Sequence, residues 1–482
     1  MVVPESARRP RVAVLGGGIS GLAAAHRLTE IAPQIQVTLF EASSRLGGIL
    51  QTEQRGDYLI ERSADMFTTR EPWALDLCRR VGLADELIET DERYRRAMIV
   101  FRGRLHPVPE GFQLLTPSKL WPIAKSPLLS AAGKLRMAGE FFIPPRKSEG
   151  DESLAAFVRR RLGNEAFERL VQPLVGGIYT ADPEKLSMAA TLPQFLEMER
   201  RHGSLLRAIL KSPKKPAAIE NEGSGARYGL FLGLRKGMSQ LVDAVAARLP
   251  SACVQLDTRV QAISRTEAGW QLALGDGLPA QTFDAVIYAL PSSSHELLRM
   301  VDDPLAALVG RIERASCSVV ALGYRRSQFQ HPLDAFGFVV PAIEKRRIIA
   351  ASFGSVKFTG RAPADRVLMR VFVGGALQPQ LATLPYDELI AIVLEELGEL
   401  LGVSGEPEIS EVIRWPNAMP QYHVGHLDLV AQIEARVAQV PGFALAGNAY
   451  RGVGIPFCIR SGEQAAERIV DSVAVEFRAV LH

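Results

Sequence analysis

The sequence predicts a mixed α/β and α+β fold: a parallel-sheet domain assembled from separated segments, with an inserted domain of antiparallel sheet and helices. Three observations predict it. The stretch "RVAVLGGGISGLAAAHRLTE", residues 11–30, sets a short apolar run against three glycines and then a helix-forming sequence. The stretch "GFALAGNAYRGVGIPFCIRSGEQAAERIV", residues 442–470, repeats that order near the other end of the chain. Between about 310 and 425, the runs "SVVALGYRR", "FGFVVPA", "RIIAASFG" and "RVLMRVFVGG" are β-branched or aromatic and divided by turn residues, the pattern of an antiparallel sheet.

Taken in order, Val12–Leu15 reads as a strand buried on both faces, and the sequence after Ile19 reads as helix. Gly16, Gly18 and Gly21 make the turn between them. Lacking Cβ atoms, they allow positive φ and close approach, while the helix N-terminus offers unpaired N–H groups and a positive dipole end. Together these suit a pyrophosphate. The second strand, "IQVTLF", ends at Glu41, 20 positions beyond Gly21, where an acid is placed to hold a ribose hydroxyl. The whole unit is therefore Rossmann-like. Directly after it, "ASSRLGGILQT" adds Arg45 and the pair Gly47-Gly48. A larger dinucleotide than a nicotinamide one could use Arg45 against its phosphates and the glycines beneath its ring.

Residues 95–210 are mostly helical in pattern, and "KSPKKPAAIENEGSGARYG", residues 211–229, reads as a mobile loop. Beyond it come an amphipathic helix, "GMSQLVDAVAARLP", and two short strands around a turn, "CVQLDTRVQAISR". A buried strand in "FDAVIYALPSSS" then returns the chain to the first domain. In the last segment Gly447, Gly452 and Gly454 give a second bare backbone surface, and Pro456 suits a helix's first turn, where its missing N–H costs nothing. The expected division is residues 1–90, 230–295 and 426–482 in the nucleotide-binding domain, 175–229 and 296–425 in the inserted one, and 91–174 in a helical segment.

Composition sets wider bounds. At 482 residues, with 47% hydrophobic and 23% charged, the chain is globular and longer than one ordinary domain. Its 56 Lys+Arg against 53 Asp+Glu leave a net charge of +3, too near balance to argue for a nucleic-acid partner. Cys78, Cys253, Cys317 and Cys458 are widely spaced, so neither a zinc site nor a disulfide framework is indicated and a reducing compartment fits. No signal-like or membrane-spanning run is present, which points to a cytoplasmic location. Residues 112–145 nevertheless mix Leu, Trp, Met and Phe with Lys119, Lys125, Lys134 and Arg136, a blend suited to lipid headgroups with Trp121 as anchor. Peripheral contact with the inner face of a membrane is thus an expectation too. No Ser/His/Asp or paired-carboxylate constellation stands out, so no catalytic side chain is assigned. His423 and His426, three apart without further local ligands, do not make a metal site.

The motifs "GGGISGLAAAHRL" and "EASSRLGGILQT" resemble those of the flavin amine oxidase superfamily. With "LVGGIYTADPEKLSM" (residues 174–188), "PQYHVGH" and "GNAYRGVGIPFCIRSGEQAAE", the chain resembles, over nearly its whole length, the oxygen-dependent protoporphyrinogen and coproporphyrinogen oxidases. The resemblance implies FAD as cofactor. It places Gly16, Gly18, Ile19, Ser20 and Gly21 at the pyrophosphate, Glu41 and Ala42 at the adenosine ribose, and Arg45, Gly47 and Gly48 at the phosphates and flavin edge. Val260 falls at the adenine side, and Trp415, Gly447, Asn448, Gly454, Ile455 and Pro456 close to the flavin. Phe457 departs from the pattern, since many relatives carry a polar residue after GVGIP.

The implied reaction removes six electrons from a porphyrinogen in three hydride transfers to flavin, each followed by reoxidation with oxygen to hydrogen peroxide. Such chemistry belongs to the cofactor, and the protein supplies position and charge. Arg95 and Arg96 are candidates for a propionate arm, because a planar guanidinium binds carboxylate bidentately. Gly176 and Gly177 would let a flat macrocycle approach the backbone. Arg104 and residues 344–347, "EKRR", could serve further carboxylates. Protoporphyrinogen IX and coproporphyrinogen III both stay open as substrates, as do oligomeric state and handover to a ferrochelatase. The competing readings are another superfamily activity, amine oxidation or carotenoid desaturation, and a flavin-bound tetrapyrrole carrier without turnover.

Overall fold

The computed structural model describes residues 8–117, 119–148, 150–211, 230–275 and 277–480. Beyond Lys211, the expected loop at 211–229 lies outside the described residues. The parallel sheet runs, by position, Val254–Gln255, Gln36–Phe40, Arg11–Leu15, Ala285–Tyr288, Phe443–Leu445. All four pairings are parallel, with Val12 opposite both Val37 and Ala285. The strand Arg11–Leu15 shows why its sequence is apolar throughout. Val12 and Val14 enter one core, with the helices Ile19–Ile31, Ser239–Ala246 and Ile455–Val480, the last contributing from Ile455 to Val473; Ala13 and Leu15 enter another, beneath the hairpin sheet that holds Trp270. A strand covered on both faces has no polar position to alternate with.

Two glycines let the helices settle onto this sheet. A Cβ at Gly21 would lie 1.9 Å from the Gly16 carbonyl oxygen, and one at Gly462 would lie 2.0 Å from that of Ser20. The first contact seats helix Ile19–Ile31 on its strand. The second lets the C-terminal helix cross the N-terminal one at backbone contact, which brings the two glycine loops together.

The second sheet has seven strands in the order Ile409–Pro420, Arg314–Arg325, Arg366–Gly374, Ala350–Phe353, Gly337–Val339, Met98–Phe101, Arg104–Pro107. Its pairings are antiparallel, as expected, except that Gly337–Val339 meets Met98–Phe101 in parallel. Residues 95–210 accordingly depart from the helical pattern at their start: Met98–Phe101 and Arg104–Pro107 form a hairpin on the edge of this sheet. Helices take over from Leu120, with Leu120–Lys125, Ala131–Ala138, Leu154–Arg161, Gln172–Tyr179, Pro193–His202 and Leu205–Lys211 around a core that includes Phe157, Leu170 and Val171.

Candidate cofactor and substrate site

The strands of the parallel sheet end together, and the glycine-rich turns follow those ends. Open α/β sheets bind their ligands at this carboxyl edge. Gly16, at φ +102°, leaves the strand Arg11–Leu15, and its N–H donates to the Phe40 carbonyl at 2.8 Å. Gly18 then caps the helix Ile19–Ile31 with no side-chain cap and no acid in the first turn, so its dipole end is left for an outside anion. A Cβ at Gly18 would touch nothing within 4 Å, and the same holds at Gly447. Both glycines thus face open space rather than protein. Ile19 and Ser20, buried beside Gly18, lead the helix in.

Glu41 is held from three sides. One of its oxygens accepts the Gly17 N–H at 2.7 Å, and the other accepts the Ser43 N–H at 2.8 Å and the Ser43 hydroxyl at 2.7 Å. A carboxylate offers about four acceptor directions, so roughly one is left for a ribose hydroxyl. Ala42 is exposed beside it. Thr258 N–H donates to the Glu41 carbonyl at 2.9 Å, which brings the half-buried Val260, two residues on, to this side. Gly17 was not singled out in the sequence; the available signal was the middle glycine of "GGG", where a Cβ would lie 2.6 Å from Leu46 and 3.0 Å from the Glu41 carboxylate.

The second glycine pair is fastened to the first loop. Gly47 N–H donates to the Gly17 carbonyl at 2.8 Å, and Gly18 and Gly47 form an isolated parallel bridge. Gly48, at φ +58°, would put a Cβ 3.2 Å from Gly18 Cα. Arg45 donates to the Leu46 carbonyl at 3.1 Å and to the Gly48 carbonyl at 2.6 Å, bracing this turn with two of its five donors. Trp415 reaches the same flank: its indole N–H donates to the Arg62 carbonyl at 2.8 Å. It stands beside a register shift in the strand Ile409–Pro420, where Asn417 takes φ +48°.

From the C-terminal end, Gly447 N–H donates to Ser461 Oγ at 3.0 Å, and the helix begins at Ile455 with Pro456 in its first turn. The Asn448 carbonyl accepts from the Tyr422 hydroxyl. Gly454 precedes the helix, and its carbonyl accepts from Cys458 N–H at 3.0 Å. Burial pushes the Cys458 thiol up to about 12, so it packs as a small apolar group between the loops. Phe457 has its own use here. Its ring lies where a Cβ on Gly452 would sit, 2.3 Å away, and meets Trp73 edge-on at 5.4 Å.

The substrate candidates are placed differently. Arg95 is 9% exposed, with its guanidinium on Thr90 Oγ1, the Thr90 carbonyl, Glu89 and Glu92. Arg96 pairs with the carboxylate and carbonyl of Asp334. Both forks are already engaged. In the "EKRR" loop, Arg346 pairs with Glu396 and Glu399, and Arg347 with Glu395. Gly176 and Gly177 lie inside the helix Gln172–Tyr179, where a Cβ on Gly177 would meet Val339 at 3.3 Å. His426 bonds the Tyr450 carbonyl, and His423 sits 3.6 Å from Glu313. A buried charge cluster that the sequence did not signal joins Asp65 to Lys357 and Arg370 beside the Glu61–Arg361 pair. Burial raises the Asp65 carboxyl, but the two cations together hold it well below the usual range.

These residues fit a flavin dinucleotide: an uncapped helix end, a carboxylate with an acceptor position to spare, and two glycines opening onto free space. The comparisons agree in class. A family model described as flavin containing amine oxidoreductase matches residues 19–470, and the chain belongs to that family. Within it, the chain is 33% identical over 464 residues to the coproporphyrinogen III oxidase of Bacillus subtilis (strain 168), covering 95% of this chain and 97% of that one. It is 35% identical to the coproporphyrinogen III oxidase of Propionibacterium freudenreichii subsp. freudenreichii, covering 95% and 90%. A crystal structure from Exiguobacterium sp. 255-15 superposes with a TM-score of 0.84 at 30% identity, covering 96% of this chain and 99% of that one.

Proposed function

We propose that the chain is an FAD-dependent porphyrinogen oxidase of haem biosynthesis, converting coproporphyrinogen III to coproporphyrin III with oxygen reduced to hydrogen peroxide. The observation that carries the reading is the bare backbone of Gly18, Gly47-Gly48 and Gly447, brought by both ends of the chain to one edge of the parallel sheet, with Gly18 bridged to Gly47. The similarity to coproporphyrinogen III oxidases supports the substrate. Bound flavin supplies the two-electron redox chemistry that three successive oxidations of the ring require.

The chain's own residues bind and orient. The helix end at Gly18–Gly21 takes the pyrophosphate, Glu41 the ribose, and Arg45 keeps Gly47-Gly48 flat against the dinucleotide. Trp415 and the segment Gly447–Pro456 wall the ring, and residues 174–188 form the substrate side. In the proposed division, residues 1–90, 230–295 and 426–482 hold the cofactor. Residues 175–229 and 296–425 are assigned to the substrate side and 91–174 to the helical segment, less the hairpin Met98–Phe101 and Arg104–Pro107, which belongs to the seven-stranded sheet. Arg95 and Arg96 reach a propionate only by exchanging their present carboxylate partners, so they rank below the glycines as substrate contacts.

Purified protein is yellow on this account. Mixed in air with anaerobically prepared coproporphyrinogen III, it produces porphyrin fluorescence and three peroxides per porphyrin, faster than with protoporphyrinogen IX. Faster turnover of protoporphyrinogen IX reverses the substrate assignment. Flavin bleached by an amine but not by either porphyrinogen moves the chain to the amine oxidases.

A further inference from the structure

We infer that Tyr422 and His426 are positioning residues, which hold the Gly447–Gly454 loop in register with residues 182–188 and so set where flavin meets substrate. The inference rests on the reading that this loop lies against the flavin. Both side chains are buried, at 2% and 4% exposure: Tyr422 lies in the turn that follows the strand Ile409–Pro420, and His426 opens the helix His426–Val437. The Tyr422 hydroxyl donates to the Asn448 carbonyl at 2.5 Å and accepts from the Gly452 N–H at 2.8 Å. One phenol oxygen thereby closes a span of five residues. Its ring stacks on the His426 imidazole, with centroids 4.0 Å apart and planes 13° from parallel.

His426 adds a third point. Its Nε2 lies 2.8 Å from the Tyr450 carbonyl, and because a carbonyl only accepts, Nε2 carries the proton. Burial lowers the affinity of the ring for a second proton. The loop needs these contacts, since residues 447–454 lie in neither strand nor helix and its backbone groups must be satisfied from outside. Side chains 422 and 426 meet it at residues 448, 450 and 452.

The backbone of the same turn is fastened elsewhere. Ser187 N–H donates to the Tyr422 carbonyl at 2.7 Å, and Val424 N–H donates to the Lys185 carbonyl at 2.8 Å. Leu186 and His423 form an isolated antiparallel bridge. Asp151 closes the corner by accepting from the Ser187 hydroxyl and, at 3.2 Å, from Gly425 N–H. Residues 182–188 continue directly from the helix that carries Gly176 and Gly177. The "QYHVGH" turn therefore grips the substrate-side segment with its backbone and the flavin-side loop with its side chains.

The test compares three variants with the wild type as holoproteins. Tyr422→Phe removes both hydroxyl bonds and keeps the stacked ring, His426→Leu removes the donor, and His426→Gln retains a donor in the Nε2 position. The readouts are the dissociation constant from titrating the apoprotein with FAD, the band shape of bound flavin, and kcat with coproporphyrinogen III. Tyr422→Phe and His426→Leu should weaken FAD binding about tenfold, shift the flavin spectrum and lower kcat, while His426→Gln should stay within about twofold of wild type. Tyr58→Phe, which loses a part-buried hydroxyl's bond to Glu408, should leave affinity and spectrum unchanged. If Tyr422→Phe and His426→Leu lower only the melting temperature, as Tyr58→Phe does, the positioning role is wrong. If Tyr422→Phe fails to fold, the contrast between His426→Leu and His426→Gln decides in the same way. Wild-type protein that takes up no flavin overturns the underlying reading as well, a result distinct from a variant effect that is missing.

Discussion

At the scale of single residues, the site depends on atoms that are absent. Gly21 leaves no room for a methyl group, because its Cβ would sit 1.9 Å from the carbonyl oxygen of Gly16. Gly21→Ala must push helix Ile19–Ile31 off the strand, at a cost of about 1–3 kcal/mol. We expect it to lower the melting temperature and to purify without flavin; a yellow, equally stable Gly21→Ala protein would show that the turn is not shaped by this contact. Gly16, Gly18, Gly21 and Glu41 were legible because spacing alone carries them. The grip on Glu41 by Gly17 and Ser43 was not, since a backbone donor leaves no mark in residue type. Charged partners hid in the same way. Arg95 looks like an open cation in sequence, but three neighbours at 89, 90 and 92 consume its donors.

At the scale of elements, the helical segment is organised by a fully buried ion pair. Arg161 and Glu140 are both 0% exposed and pair directly; Glu140 also accepts from the Ser204 hydroxyl and from the N–H groups of Leu205 and Leu206 at the start of the next helix. Arg161 further donates to the carbonyls of Ile143, Pro144 and Gly203 and to Glu199. Removing one partner strands a buried charge. Arg161→Met should cost about 3–5 kcal/mol in denaturant unfolding, and adding Glu140→Gln should recover part of it. A single variant as stable as wild type would contradict the network. The hairpin 98–107 escaped the sequence reading for a specific reason. Its turn, Arg102-Gly103, has positive φ at both residues, +52° and +71°, the conformation usually signalled by Asn-Gly or Asp-Gly. The strands Arg314–Arg325, Gly337–Val339, Ala350–Phe353 and Arg366–Gly374, with no such disguise, were legible from their β-branched or aromatic runs.

At the scale of the whole molecule, the chain's two ends meet because a helix from one crosses a helix from the other at Gly462, placing Gly18 and Gly447 on one sheet edge. That closure was readable from the repeated strand–glycine–helix order, whereas the parallel join between Met98–Phe101 and Gly337–Val339 was not, because pairing partners so distant leave no local pattern. The outer surface makes its own prediction. No helix among the described residues is long and apolar enough to cross a membrane, yet Trp121, Leu135 and Phe142 are 68%, 74% and 79% exposed, one on each of the short helical segments Leu120–Lys125, Ala131–Ala138 and Gly139–Phe142. Lys125 lies over the Trp121 ring, while Lys119 is paired with Glu110, Lys134 bonds the Ala124 carbonyl, and Arg136 caps the carbonyls of 159–161. Insertion of these side chains, more than attraction of the cations, should then hold the protein to a bilayer. Trp121→Ser with Phe142→Ser should abolish sedimentation with anionic lipid vesicles in moderate salt, and unchanged sedimentation would rule this surface out.

The most direct test of the central claim is anaerobic mixing of the flavin-loaded protein with coproporphyrinogen III while the flavin absorbance is recorded. The account predicts that the yellow colour bleaches, and that admitting oxygen restores it with formation of porphyrin and peroxide. Porphyrinogen that binds while the flavin stays oxidised would contradict it, and would leave a carrier in place of an oxidase.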